Sequence, residues 1–426
     1  MKKVLLTTLF AAVGLCLFAQ KLDKAKEYYT SKPPKLEQAK TEIDGVMADS
    51  KNAKNGEAWY YKAKIYNAIA NDSVLAAKTP DARWTAFEAL KTYTDVDDKK
   101  EILLQIDKYQ PVMDIYQTYY KVGAADFNSG KHEEAYINFK NCLAVSEFMT
   151  QKAWTTVKLD TSVVLYTGIA AEKDGKKDEA AGYYTRLADA RVHSEGMVEI
   201  YKWLTDYYAR KGDTASSKKY LSLGKSLYPK DPFWNGYELE LLKDNKPELF
   251  IKYEQMIGDN PNDTTSLYNY AVELYLYSYN EDITKRPANA EELIGKAEEN
   301  MKKVVALNPN NASAYLVLGQ ISYNHGVDIN TQMKAIKPVG AVKLKPEELK
   351  KKDDLRQQAT KMFDAAVPYF EKVDQILGPQ GKLPREDKKN LKEAYDLLIN
   401  IYDNKNDKDK VKAYEDKFNT VEKVHQ

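Results

Sequence analysis

Apolar residues recur along most of this chain at intervals of three and four residues, between short polar stretches rich in Gly, Pro and Asn. In residues 307–326, "LNPNNASAYLVLGQISYNHG", a Pro-Asn segment precedes such a run. This spacing puts the apolar side chains on one face and predicts an amphipathic helix. Because proline cannot continue a helix and disfavours helix at the residue before it, Pro309 predicts a boundary between two helices. No window alternates with a period of two, so we expect almost no strand.

The same order of features recurs in residues 116–143, 161–188 and 198–229. Each stretch has an apolar-periodic first helix, a glycine at the expected turn, and a second helix that carries small and aromatic residues, such as Ala135 and Phe139. A small residue inside the first helix would let neighbouring helices approach closely, which we expect at Gly123, Gly168 and Gly319. Turns between paired helices are predicted at Gly130, Gly175, Gly212 and Gly326.

Tyr315, Leu318 and Gly319 match the W-x2-L-G core of the tetratricopeptide repeat, with Tyr in place of Trp. With the recurring units, this match makes the chain resemble the tetratricopeptide repeat (TPR) family, exported bacterial type. The resemblance implies an all-α fold, a right-handed α-solenoid of TPR-like helical hairpins that spans residues 20–426 as one domain of roughly eight irregular repeats. Residues 66–115 fit the pattern poorly, which leaves the repeat count there open.

The N-terminus differs from the rest of the chain. Lys2 and Lys3 precede an apolar run over residues 4–18, which is followed by Ala19 and Gln20. This order is typical of a secretory signal peptide, and the run is shorter than the ~20 residues that span a bilayer. We predict a signal peptide over residues 1–19, cleaved after Ala19, with lipidation of Cys16 as the alternative. The expected location is periplasmic, with outer-membrane association or secretion as alternatives.

Charge and candidate chemistry narrow the function classes. The chain has 64 basic and 63 acidic residues, without the basic excess of a nucleic-acid-binding protein, so no nucleic-acid partner is expected. Its histidines form no paired zinc spacing, and nucleophile and phosphate-loop motifs are absent from the sequence. Residues 95–106 begin like a calcium loop but lack its central glycine and final glutamate. We expect no enzymatic activity, no cofactor, no metal, no transmembrane segment in the mature chain, and a buried, inert Cys142. The oligomeric state is left open.

Candidate partner-binding residues follow from the resemblance. In tetratricopeptide proteins the first helices line a concave groove, and by register that groove would here contain Tyr60, Asn67, Tyr120, Phe127, Asn128, Tyr268, Tyr275, Tyr323 and Asn324. The alternative for each tyrosine is packing against the next hairpin with its hydroxyl in water. Aromatic and amide side chains suit recognition of an extended peptide or a helix, and also stacking on sugars.

Two insertions, residues 279–290 and 327–354, are predicted to lengthen the turns of neighbouring units and to project from one edge. The second sets Ile336, Val339 and Leu344 among lysines, which indicates a docking arm; an inert flexible loop is the alternative. The predicted function is a non-enzymatic scaffold that binds proteins or peptides of the cell envelope through the groove or the insertion edge. The alternative is a carbohydrate-binding or glycan-uptake accessory protein on the same frame.

Overall fold

The structure, a computed structural model, describes residues 21–97, 99–338 and 344–426. The predicted signal peptide and Val339 lie outside the described residues. Within these ranges the secondary structure is α-helical, with two short 3-10 turns and no strand, which confirms the all-α prediction. The chain divides into two compact units, one ending at Trp234 and the other beginning at Asn235.

The first unit consists of consecutive helices, several of which pair as antiparallel hairpins: α3 with α5, α7 with α8, α9 with α10 and α11 with α12. Their bounds are α1 (21–30), α2 (Leu36–Met47), α3 (Gly56–Asn71), α4 (Ser73–Lys78), α5 (Ala82–Val96), α6 (Ile102–Ile106), α7 (Gln110–Asn128), α8 (His132–Gln151), α9 (Thr161–Lys173), α10 (Lys177–Asp189), α11 (Val198–Arg210) and α12 (Thr214–Leu227). One 3-10 turn covers Ser50–Asn52.

The second unit has the same organisation, with α15 paired to α16, α17 to α18 and α19 to α20. Its first helix, α13, begins two residues before the boundary between the units. The bounds are α13 (Phe233–Leu242), α14 (Lys246–Asp259), α15 (Thr264–Ser278), α16 (Ala290–Leu307), α17 (Ala312–Ala335), α18 (Pro346–Leu377), α19 (Arg385–Asn404) and α20 (Lys408–Val424). The other 3-10 turn covers Ile283–Lys285.

Contacts between a glycine and an aromatic ring hold the hairpins together. A Cβ on Gly123 of α7 would lie 3.0 Å from the ring of Phe139 on α8, and a Cβ on Gly168 of α9 would lie 2.7 Å from Tyr184 on α10. These contacts confirm the predicted close approach of paired helices. The paired helices and their small-residue packing have the form expected of tetratricopeptide hairpins, which bears out the resemblance at the level of the fold.

The Pro-Asn segment also has the predicted role. Helix α16 ends at Leu307 and α17 begins at Ala312. The side chain of Asn311 accepts a hydrogen bond from the backbone N–H of Ala314 at 3.0 Å, which satisfies one of the unpaired donors of the first turn. Such a cap contributes about 1 kcal/mol to a helix. A boundary between repeats is therefore marked by a proline that stops one helix and an asparagine that starts the next.

The predicted turn at Gly326 is wrong. Gly326 lies inside α17, buried, and a Cβ there would meet Phe363 of α18 at 2.9 Å. Its spacing of seven residues from Gly319 puts both glycines on one helix face, where each accommodates a ring of α18. The prediction that residues 327–354 form a loop is wrong for the same reason, since α17 continues to Ala335 and α18 begins at Pro346. Residues 279–289 do connect α15 to α16, as predicted.

The hairpin of α17 and α18 extends past its neighbours in the second unit. Lys405, next to the end of α19, forms a salt bridge with Asp364 of α18. From Asp364 to its start at Pro346, α18 continues for roughly 27 Å at 1.5 Å per residue. Most side chains of this part of α18 are exposed. We define the hairpin tip as residues 333–338 and 344–349.

Candidate partner-binding surfaces

Aromatic side chains lie on neighbouring first helices of the first unit. The rings of Tyr120 on α7 and Tyr166 on α9 have centroids 6.0 Å apart, and Tyr166 also stacks on Phe139 at 5.7 Å. Tyr166 is 40% exposed. Tyr120 was predicted as a groove residue and Tyr166 was not, although the place of Tyr166 two residues before the packing glycine Gly168 could have indicated an outward-facing aromatic.

A pocket of about 360 Å³, here called the α11 pocket, lies at the end of α11. Trp203 and Tyr207, one helical turn apart, stack with centroids 4.8 Å apart and planes at 11°. Trp203 also makes an edge-to-face contact with Tyr184 of α10, with ring centroids 5.0 Å apart. The two stacked rings therefore form a rigid apolar platform at the pocket. The pocket is lined by Glu172, Lys177, Asp178, Trp203, Asp206, Tyr207, Arg210 and Lys211.

Charged groups of both signs surround this platform. Lys211 lies 2.5 Å from a carboxylate oxygen of Asp178 and, with the hydroxyl of Tyr207, lowers the pKa of that carboxyl. Arg210 pairs with Asp206 at 2.8 Å. With three cationic and three carboxylate side chains, the lining of the pocket carries no net formal charge. It presents apolar rings beside donors and acceptors, an arrangement that suits a peptide segment of mixed character.

In the second unit, α15 and α17 bring several predicted residues together. The side-chain amide of Asn324 donates a hydrogen bond to the hydroxyl of Tyr275 at 2.6 Å. Tyr275 is 8% exposed, and burial raises its pKa well above the usual range. Tyr323 contacts Phe363 with ring centroids 5.2 Å apart, and burial also raises the pKa of Tyr268. Tyr275 thus serves packing, whereas Tyr268, Tyr323 and Asn324 are half-buried at the surface.

One arginine of the insertion at residues 279–289 connects it to α17. Arg286 donates two hydrogen bonds to the carboxylate of Asp328 on α17, at 2.7 and 2.9 Å. Its guanidinium lies over the ring of Tyr279 at 4.4 Å, and its side chain is 4% exposed. Tyr279 in turn stacks on Tyr275 at 5.4 Å. The side chains of the insertion and the Tyr275–Asn324 pair therefore form one connected cluster.

The remaining predicted residues are scattered. Tyr60 is 2% exposed. Its hydroxyl can be buried because it donates to two acceptors in the chain that follows α5, the carboxylate of Asp107 and the carbonyl of Leu103. Asn67 is also buried. Phe127 contacts His132 with ring centroids 5.2 Å apart, at the turn between α7 and α8.

Asn128, the last residue of α7, is exposed at the same turn. Ile336 and Leu344 are half-buried at the hairpin tip. The candidates of α3 and α7 therefore belong to the first unit, and those of the α15–α17 pair and of the tip belong to the second. Tyr60 and Asn67, being buried, are not offered to a partner.

In the described ranges, no group of three potential ligands is placed to hold a metal ion. No helix within them is long and apolar enough to cross a membrane. Cys142 is buried and its thiol donates to the carbonyl of Tyr116 at 3.4 Å. Burial raises the pKa of this thiol well above its usual range, and the predicted burial of Cys142 is confirmed.

Comparisons with known proteins give structural likeness only. No family model and no curated protein matches the chain. The C-terminal part of a TPR repeat-containing protein from Cytophaga hutchinsonii is 15% identical, covers 75% of this chain and 93% of its own, and has a TM-score of 0.26. A TPR repeats protein from Bacteroides fragilis is 17% identical over 66% of this chain and 99% of its own, with a TM-score of 0.24. Yeast Tom70 is 12% identical over 96% and 92%, with a TM-score of 0.23.

Proposed function

We propose that this chain is a non-enzymatic scaffold of the bacterial cell envelope that binds proteins or peptides through the first-helix surface of its first unit. The observation that carries the proposal is the α11 pocket, with its stacked Trp203 and Tyr207. A volume of about 360 Å³ lies at the lower end of ligand pockets and suits one or two side chains of a peptide. Rigid aromatic rings supply contact area at a low cost in conformational entropy.

The exposed ring of Tyr166 on α9 extends this surface beyond the pocket. Tyr120 contributes a further ring from α7 through its contact with Tyr166. A peptide that lies across the first helices would then meet one aromatic after another, with the pocket as its anchor. Anchors of this kind, aromatic and flanked by charge, carry a large share of the binding energy in protein interfaces. Tyr268, Tyr323 and Asn324 are proposed as a second contact surface, on the second unit.

Envelope location rests on residues 1–19 and is tested separately. N-terminal sequencing of the protein from envelope fractions should find Gln20 as the first residue, since the basic, apolar and small segments are in the order of a cleaved signal. An intact Met1, or a lipid on Cys16, would contradict cleavage after Ala19.

The binding surface is tested by site-specific photo-crosslinking in cells. A benzophenone amino acid at Trp203 or Tyr166 should crosslink to one discrete partner protein, and Trp203→Ala should abolish capture of that partner. The matched control is Trp84→Ala, which removes another partly exposed tryptophan, on α5 of the same unit. Capture that survives Trp203→Ala but fails in Trp84→Ala would contradict the proposal.

The carbohydrate-binding alternative predicts a different outcome, because a stacked Trp–Tyr pair also suits a sugar ring. In that case the purified protein would bind defined glycans on an array, and Trp203→Ala would remove that binding. Crosslinking to a protein without glycan binding supports the scaffold. Glycan binding without protein crosslinks supports the alternative.

A further inference from the structure

Among the described residues, most carboxylates that accept a hydrogen bond from a tyrosine hydroxyl also pair with a lysine. At Tyr207, the carboxylate of Asp178 accepts the hydroxyl and pairs with Lys211, and the Lys211 ammonium lies 5.2 Å from the centroid of the Tyr207 ring. The lysine thus meets both a negative charge and the negative face of an aromatic ring. We call this arrangement a tyrosine–carboxylate–lysine triad. It recurs at Tyr60–Asp107–Lys64, Tyr66–Asp44–Lys40, Tyr220–Asp189–Lys219, Tyr395–Asp374–Lys417 and Tyr402–Glu371–Lys410.

Glu172 of the α11 pocket belongs to such an arrangement without its lysine. The hydroxyl of Tyr184 donates a hydrogen bond to the Glu172 carboxylate at 2.7 Å. Burial and this hydrogen bond raise the pKa of Tyr184 well above its usual range, so the hydroxyl remains a donor. Trp203, which contacts the ring of Tyr184, supplies an aromatic surface in the same pocket. Among the described residues no cation pairs with Glu172, although this residue is half-buried.

The pair of Tyr116 and Asp160 also lacks a lysine, but other groups compensate its carboxylate. Asp160 accepts the hydroxyl of Tyr116 at 2.7 Å and that of Ser146 at 3.1 Å. It also caps the start of α9 by accepting the backbone N–H of Val163, where the helix dipole favours a negative charge. Glu172 lies in the last turn of the same helix, where the dipole disfavours a carboxylate. Its charge is therefore less compensated than that of Asp160.

The cations that line the α11 pocket do not supply the missing partner. Lys211 and Arg210 are held in the ion pairs described above. Lys177 is exposed, so water solvates its charge and an ion pair there would gain little. A half-buried carboxylate, in contrast, loses part of its hydration and gains more from a cationic partner. The charge in the pocket that most needs a partner is therefore the negative charge of Glu172.

We propose that the α11 pocket binds a lysine or arginine side chain of the partner peptide, with its aliphatic stem on Trp203 and Tyr207 and its cationic head on Glu172. This inference rests on the proposed function and specifies which kind of residue the pocket anchors. Long basic side chains pack their methylene groups on apolar surface while the charged head keeps a polar partner. The bound cation would complete at Glu172 the triad that Lys211 completes at Asp178.

The test starts from random peptides that are displayed on phage and selected on the purified full chain. Selected peptides that no longer bind the Trp203→Ala variant are those that use the pocket. We expect each of them to contain a lysine or arginine whose replacement by norleucine, which keeps an apolar stem and removes the charge, raises the Kd on the order of tenfold, because a hydrogen bond between charged groups is lost. Isothermal titration calorimetry measures the Kd values.

Glu172→Gln should raise the Kd of the basic peptide to the same extent and leave the Kd of the norleucine peptide unchanged. The glutamine oxygen still accepts the hydroxyl of Tyr184, so the packing around it is kept. The control Glu179→Gln removes the same charge from an exposed position of α10 outside the pocket and should change neither Kd. Glu172→Lys should bind a peptide with glutamate at the anchor position more tightly than the basic peptide, which a purely structural role of Glu172 would not produce.

Two results would overturn the basic anchor and leave the pocket as a peptide site. One is a set of pocket-dependent peptides that are anchored by aspartate or glutamate and lose binding to Lys177→Gln. The other is an equal Kd for the basic peptide and its norleucine version. If binding of every selected peptide survives Trp203→Ala, the pocket is not a peptide site, and the proposed function of the pocket fails together with this inference.

Discussion

Replacing Gly319 by alanine sets two well-known effects against each other. In a helix interior alanine is favoured over glycine by about 1 kcal/mol, so helix propensity alone predicts a more stable protein. The new Cβ, however, would overlap the ring of Phe370, which is fully buried with Val373, Leu391 and other residues in the core of the second unit. Forcing an extra carbon into a packed core costs about 1–3 kcal/mol. The overlap is severe, so we expect Gly319→Ala to lower the free energy of unfolding by about 1–2 kcal/mol.

Urea denaturation followed by far-ultraviolet circular dichroism measures this change, and Gly295→Ala is the matched control. Gly295 also lies inside a helix, α16, but apart from its chain neighbours and the nearby backbone of α16 no described heavy atom lies within 4 Å of its added Cβ. This substitution should therefore raise the free energy of unfolding by about 0.5–1 kcal/mol. In a double-mutant cycle, Phe370→Leu should relieve the overlap, with a coupling energy of about 1 kcal/mol or more. Stabilisation by Gly319→Ala equal to that by Gly295→Ala would refute the packing argument.

Three further predictions concern the pinned insertion and two kinds of buried group. Arg286→Ala leaves the Asp328 carboxylate half-buried and unpaired, so it should lower the free energy of unfolding by about 3 kcal/mol and expose residues 279–289 to limited proteolysis. The control Lys285→Ala, at an exposed ion pair, should lower it by less than about 1 kcal/mol. Cys142 should resist thiol reagents in the native protein and react once guanidinium unfolds it, and rapid native labelling would show that the thiol is accessible. Burial raises the pKa of Tyr402 to about 12, above its unfolded value of about 10. The contribution of Tyr402 to the free energy of unfolding is therefore present below pH ~10 and lost as pH rises toward ~12. A tyrosinate absorbance titration that compares Tyr402→Phe with the unchanged protein measures the pKa on which this prediction depends.

The sequence predicted the hairpins well because the signals it used are local. Pro309 and Asn311 act on the backbone of adjacent residues, and their effects on α16 and α17 do not depend on the rest of the fold. The small residues were also informative, since a glycine such as Gly123 or Gly168 in a strongly apolar helix is disfavoured unless packing requires it. At these positions the residues that determine the helix boundary or the close packing are near one another in the sequence.

The candidate site was harder to predict, because the exposure of an aromatic residue depends on residues far along the chain. Tyr60 and Tyr166 both lie in first helices, yet Tyr60 is buried and Tyr166 is exposed. Tyr60 has Asp107, 47 residues away, as an acceptor for its hydroxyl. Trp203 and Tyr207 stack because they lie one turn apart on α11, but three of the charged groups beside them, Glu172, Lys177 and Asp178, come from α9 and α10.

Gly326 was predicted to form a turn but lies inside α17, and the sequence around it contains the feature that distinguishes it from the turn glycines. The turn glycines Gly130, Gly175 and Gly212 have positive φ angles of 75°, 82° and 76°, and each is followed within four residues by an Asp or Glu. Acidic side chains there favour the start of a helix, either as its cap or through the helix dipole. Gly326 is followed by Val, Asp, Ile and Asn, and Ile329 continues the buried face of α17, so an acidic residue alone does not mark a turn. What separates the two cases is the apolar spacing, which is interrupted after a turn glycine and continues past Gly326. In α17 this spacing continues to Ile329 and carries the helix past Gly326 into the part of the hairpin that extends beyond its neighbours.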